Sequence, residues 1–204
     1  MLCFLVVALA SSTAWAQARQ ETPDPGVNRI AAAGVFLAGA AVGLAAHEGG
    51  HLFFDVVFDA DPGIRAIDFH GIPFFAISHR DDLSPRREFA VSSAGFWVQH
   101  AVNEWLLTRH PRLRQQAAPF KKGVFAFNVL ASAAYAGAAF AQTGPDERDT
   151  RGMAVASCTN EPWIGALVLA PAVLDVWRYF EPDAKWIVWM SRAVKVGAVL
   201  LIVR

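Results

Sequence analysis

The stretch Ile30–Phe58, IAAAGVFLAGAAVGLAAHEGGHLFFDVVF, decides how the rest of this chain is read. From Ile30 to Ala46 it holds no charged and no strongly polar side chain. A helix rises about 1.5 Å per residue, so this run and the turns after it can cross a hydrocarbon core of ~30 Å. Ala and Gly dominate it, which lets other helices approach closely. Toward its C-terminal end stands His47-Glu48-Gly49-Gly50-His51.

Composition points the same way. Hydrophobic residues make up 54% of the 204, mean hydropathy is +0.32, and charged residues are only 18%, against about 25% in a soluble domain. The charges fall mainly between long apolar blocks, as membrane loops require. With 18 basic and 18 acidic residues the net charge is zero, which speaks against a nucleic-acid partner. Cys3 and Cys158 are the two cysteines. Cys3 falls in a segment read as a signal sequence, so neither an internal disulfide nor a cysteine metal site is expected.

Leu2 to Ala10 is a short apolar core, and Ala14-Trp15-Ala16 fits a small-x-small cleavage site before Gln17. Residues 1–16 are therefore expected to be a signal peptide, or a retained anchor helix since a basic leader is missing. Residues 17–29, with Pro23 and Pro25, read as a polar extended segment, and 30–204 as one membrane-embedded domain. After the first block, Asp61-Pro62-Gly63 is turn chemistry. Ile64 to Phe69 and Ile72 to Ser78 have β-type composition and predict a short hairpin. Phe89–Leu107, Gly123–Gln142, Trp163–Phe180 and Trp186–Val203 follow as helices, with polar loops at 108–122 and 143–162. The expected fold is an all-α polytopic membrane protein of about five transmembrane helices, with a β-hairpin after the first. Loop 59–87 carries Arg65, Arg80, Arg86 and Arg87; loop 108–122 carries Arg109, Arg112, Arg114, Lys121 and Lys122. These balance, so the positive-inside rule assigns no orientation.

His47 and His51 are one helical turn apart and project from one face, close enough to hold one metal ion. Imidazole–carboxylate ligation makes Zn2+ the default. A metal held there makes a nucleophile of water near neutral pH, and Glu48 beside it is placed to take the proton. Two histidines and a glutamate on an apolar helix are costly unless they are functional or paired.

His47-Glu48-Gly49-Gly50-His51 resembles the His-Glu-x-Gly-His motif of the site-2 protease-like intramembrane zinc metalloproteases, with Gly50 matching the glycine that family favours. In that family a short β-segment follows the motif helix, where Ile64 to Ser78 stands here. Next comes a helix opening with Ala-Gly-Pro near an Asn, where this chain has Ser93-Ala94-Gly95-Phe96, with Gln99 and Asn103. The family's third ligand is an Asp, usually in an Asp-Gly context after an Asn-rich stretch. Here Asn128 is followed by Asp146, Asp149 and Gly152, with no Asp-Gly dipeptide.

Three residues compete to complete the open three-ligand site of a catalytic zinc: Asp149 first, then Asp146, then His100. Asp55, one turn past His51, is a candidate to hold a ligating histidine from behind. Asn128 is a candidate to steady substrate backbone, or else glue between helices. Asp175 is expected to pair with Arg178, and His70, His79 and His110 read as surface residues. The resemblance implies a zinc endopeptidase in the bilayer, expected in a bacterial inner (plasma) membrane. Its substrate would be a membrane-associated protein or peptide, which can itself be a transmembrane segment. A membrane zinc hydrolase of a non-peptide substrate and a catalytically inactive membrane scaffold are the alternatives.

Overall fold

The computed structural model describes residues 25–69, 72–80 and 82–203. Helices α1 (Pro25–Val57), α2 (Pro85–Arg109), α3 (Pro119–Ala141), α4 (Asp149–Ala156), α5 (Glu161–Phe180) and α6 (Lys185–Val203) account for most of it. Between α1 and α2 lie strands β1 (Gly63–Phe69) and β2 (Ile72–Ser78), and a 3-10 turn covers Leu113–Gln115. The hairpin is antiparallel, paired from Gly63–Ser78 to Phe69–Ile72. The fold is thus mostly helical with a small sheet, as expected.

Several boundaries differ from the sequence reading: α2 and α3 each begin four residues earlier, at Pro85 and Pro119. α1 begins at Pro25, so residues 25–29 are helical rather than extended; proline's fixed φ suits a first helical turn. The signal-peptide expectation for 1–16 falls outside the described residues. Within 143–162, read as a loop, α4 forms. At eight residues it is too short to show a clear period.

Among the described residues, three helices are long and apolar enough to cross a membrane: Asn28–Val57, Pro119–Ala141 and Glu161–Phe180. α2 and α6 are not among them. α2 begins with Arg86, Arg87 and Glu88 and carries Glu104, while α6 carries Arg192 and Lys195.

Lipid tails are as apolar as leucine, so helices in a bilayer associate through close packing and hydrogen bonds rather than apolar burial. Both devices are present. A Cβ at Gly39 would strike the Phe120 backbone, one at Gly43 would come within 2.8 Å of the Phe127 ring, and one at Gly123 would overlap the Phe36 carbonyl. Contact numbers rise together along both helices, so α1 and α3 run parallel. α2 lies antiparallel to both: Gly50 abuts the Ala94 carbonyl, and Asn103 meets Asn128. α5 antiparallels α3, with Gly165 against Ala136 and the Phe125 and Tyr179 rings stacked at 4.9 Å. The hairpin, α4, the end of α1 and the start of α2 therefore share one end of the bundle. The start of α1 and the α2–α3 and α5–α6 connections share the other.

The two cations in the middle of α6 are paired with acids on α2 and α5. Arg192 Nε and Lys195 Nζ donate to Glu104 at 2.9 and 3.1 Å, beside Arg178 Nη1 at 2.6 Å. Asp175 accepts from Lys195 at 2.6 Å and Ser191 at 2.9 Å. This corrects the expected Asp175–Arg178 pair: Arg178 turns to Glu104 on α2, leaving Asp175 to α6.

Replacing Gly123 by Ala should destabilise the protein by ~1–3 kcal/mol, because the obstructing atoms are backbone and cannot move aside. A Cβ at Gly137 meets nothing within 4 Å, so Gly137→Ala should be neutral or stabilising by up to ~1 kcal/mol. Thermal unfolding in detergent distinguishes them; equal effects would contradict the α1–α3 packing.

Candidate metal centre

His47, Glu48 and His51 occupy the C-terminal third of α1, and His47 and His51 are 2% and 6% exposed. Asp149 opens α4, 102 residues from His47. His47 Nε2 lies 3.1 Å from Asp149 Oδ2, His51 Nε2 lies 3.4 Å from the same oxygen, and the two Nε2 atoms are 3.3 Å apart. Ligands ~2.0–2.1 Å from a tetrahedral zinc stand about 3.3 Å from each other. The triangle of donor atoms has that edge length, so the residues fit such an ion. His51 Nδ1–H donates to the Val91 carbonyl at 2.8 Å, which leaves the Nε2 lone pair facing the triangle. His47 Nδ1 is buried without a hydrogen-bond partner among the described residues.

Backbone shape makes room for the rings. A Cβ at Gly95 would collide with the His47 imidazole, whereas one at Gly49 would meet nothing within 4 Å. Phe96, standing where the resembled family has proline, packs edge-on against His47 at 5.5 Å and Tyr135 at 5.1 Å. The Tyr135 phenol interacts with Asp149 and Glu48. Glu48 is half-buried, near enough to feel the charges of His51 and Asp149.

Asp149 is placed by the turn before it, which Arg148 organises without pairing with Asp149 itself. Arg148 forms a two-pronged pair with Glu161 at the start of α5, both contacts 2.6 Å. Its Nη1 also donates to the carbonyls of Pro145 (2.8 Å) and Gly144 (3.2 Å), and Thr150 Oγ1 donates to Glu161 at 2.8 Å. The turn is thus wrapped around one guanidinium, and Asp149 follows it. Burial pushes the Asp149 carboxyl up, but with no metal between them the two imidazoles, in their protonated form, outweigh that through charge and hydrogen bonds. The group stays well below the usual carboxylate range.

The other candidates lie elsewhere. Asp146 is exposed and accepts from Arg151 at 2.6 Å. His100 is buried on α2 beside Trp97 and lines a groove with Lys195, outside the triad. Asn128 Nδ2 donates to Asn103 Oδ1 at 2.8 Å and the Gln99 carbonyl at 3.3 Å, which makes it helix glue. Asp55 does not hold a ligating histidine, because Val91 has taken the His51 Nδ1 proton. Asp55 instead faces His79 at 3.5 Å. His79 corrects the surface reading: half-buried at the end of β2, it lies 2.8 Å from Glu88, which also accepts from Ser92 at 3.0 Å. His70 is outside the described residues.

A polar cleft of about 190 Å³ opens from the triad under the hairpin, lined among others by His51, Arg65, His79, Glu88, Asp149 and Gly152. Gly95, Tyr135 and the Arg148–Glu161 pair were missed in the sequence. Tyr135, alone in an Ala-rich run, carries no local signal. Gly95 was legible only through the resemblance.

Gly95→Ala should weaken metal binding at the triad roughly 10- to 100-fold with His47, His51 and Asp149 intact, while Gly49→Ala should bind as the wild type does. Competitive titration against a chelator measures both. A second expectation concerns pH. The hydrogen bond to Glu88 raises the His79 pKa against burial, and the same bond lowers that of Glu88. Hairpin anchoring is therefore complete below the ordinary histidine value of about 6.5 while Glu88 stays ionised. It is lost as pH rises through the raised His79 value, and again as pH falls through the lowered Glu88 value. Hydrogen exchange across Ile72–Ser78 should quicken in both directions, and His79→Gln should abolish the alkaline step.

No family model matches the chain, and no curated protein or solved structure matches it. The group His47, His51 and Asp149 is able to hold a metal ion on its own geometry.

Proposed function

We propose that this protein is a membrane-embedded zinc endopeptidase resembling the site-2 protease-like enzymes. One observation carries the reading: two histidines and a distant aspartate converge with the edge lengths of a tetrahedral zinc site, and a glutamate follows the first histidine. His47, His51 and Asp149 would hold the ion, leaving a fourth position open as catalytic zinc requires. When bound, the metal lowers the pKa of water and polarises a carbonyl.

The chain's own residues do the rest. Glu48 takes the proton of the attacking water and delivers it to the departing amine, which is general base and then general acid work. Tyr135 donates to Asp149 and positions it. The cleft under the hairpin admits water to a site otherwise closed by Phe96 and Gly95. A transmembrane substrate must unwind locally, since a helix hides its carbonyls in its own hydrogen bonds. In this reading α2 and α6 also span, their charges cancelled by the Glu104 and Asp175 pairings, giving five spans in a bacterial inner (plasma) membrane.

Purified protein should carry about one zinc per chain, lost in His47→Ala and in Asp149→Ala. Glu48→Gln should keep the metal and lose peptide hydrolysis by ~10²–10⁴-fold. Metal with no peptidase activity would favour a hydrolase of another substrate. A wild type that takes up no zinc when supplied would leave a membrane scaffold.

A further inference from the structure

A concentration of positive charge lies at the end of the bundle opposite the metal centre. The connection from Arg109 to Lys122 contains five basic residues and no acidic one. Parallel packing of α1 and α3 brings Arg29 to the same place. A cleft of about 690 Å³ runs between them, lined by Arg29, Gln116 and Lys122 on its polar side and by Ala31, Val35 and Ala118 on its apolar side.

The cations here are poorly neutralised. Arg112 reaches Asp183 at 3.5 Å between two exposed side chains, and Arg114 lies over the Phe180 ring at 5.4 Å. Lys122 Nζ donates to the Arg114 carbonyl at 2.9 Å, which uses one of its three donors. Among the described residues no acidic side chain pairs with Arg29, Arg109, Lys121 or Lys122. At the hairpin end the pattern is reversed. Arg65 pairs with Glu147, Arg80 with Asp82, Arg148 with Glu161 and Arg151 with Asp146.

We propose that the cleft between the start of α1 and the α2–α3 connection binds one anionic phospholipid, its phosphate against Arg29 and Lys122 and its acyl chain along α1. Charge complementarity selects the headgroup: basic residues beside a membrane span attract anionic lipid. The apolar wall selects a lipid over a free anion. Ile30 and Val35 are 80% and 43% exposed and continue that wall along α1, where a hydrocarbon chain would lie. The site is independent of the metal centre and of the peptidase reading; it needs only that α1 and α3 span.

The test is native mass spectrometry of the full-length protein in detergent, with dioleoylphosphatidylglycerol and dioleoylphosphatidylcholine offered in equal amounts. The wild type should retain one phosphatidylglycerol in preference to phosphatidylcholine. The double variant Arg29→Gln, Lys122→Gln should lower that preference on the order of 25-fold, at roughly fivefold per cation. The control Arg65→Gln, Arg151→Gln should not lower it. All three proteins are first compared by thermal unfolding, and exposed glutamines leave the helices intact. Equal retention of both lipids, an undiminished preference in the double variant, or an equal loss in the control overturns the proposal. So does displacement of the lipid by excess inorganic phosphate, which would mark a free-anion site.

Discussion

Three polar side chains meet in an apolar bundle only because helix backbones come close enough to seat them. An imidazole pair and a carboxylate removed from water are destabilising unless each lone pair and each proton has a partner. Here α1 lies against α2 at Gly50 and Gly95 and against α3 at Gly39, Gly43 and Gly123. A side chain at Gly95 would occupy the volume of the His47 ring. With the ring seated, His51 reaches the Val91 carbonyl and both Nε2 atoms turn toward Asp149. Close approach at glycine is thus the condition for the centre, and the same packing sets the order of helices around it.

Asp149 is brought to this pair by a different device. α4 has eight residues and packs Met153 and Ala154 against Phe96, Ile164 and Val168. Its first turn, where Asp149 stands, is placed by the Arg148–Glu161 fork, which ties the turn before α4 to the first turn of α5. A two-pronged guanidinium–carboxylate pair is directional, so it fixes where the chain points as well as where it lies. Two charges buried together offer little net stability; the gain here is placement of the next residue.

What could be read from the residues divides along the same line. His47, Glu48 and His51 were legible because one helical turn relates them, and helix geometry alone puts them on a face. The hairpin was legible from β-type runs beside turn chemistry. Asp149 appeared only as the first of three candidates, since a partner 102 residues away is chosen by tertiary packing. Asp55 is a candidate to back a ligating histidine by proximity in sequence, and Asn128 is a candidate for substrate backbone or for glue between helices; residue type alone does not choose between these roles or name the partner. Asp55 went to His79, across the hairpin end, and Asn128 to Asn103, across a helix pair. Neither partner lies within reach of a local pattern. The expected Asp175–Arg178 pair failed for the same reason: spacing allowed it, but α2 and α6 supplied closer partners.

The pairing of α6 has a consequence for biosynthesis. Arg192 and Lys195 find their acids on α2 and α5, at Glu104 and Asp175. Both acids come earlier in the chain. As the polypeptide emerges, the two carboxylates are laid down before the two cations that neutralise them. α6 alone is a poor candidate for lipid, because two cations sit near its middle. Packed against helices that already present Glu104 and Asp175, it becomes nearly neutral on that face. In the five-span reading proposed above, entry of α6 into the bilayer is an act of assembly rather than of partitioning, and α6 joins the bundle only when the earlier helices are in place.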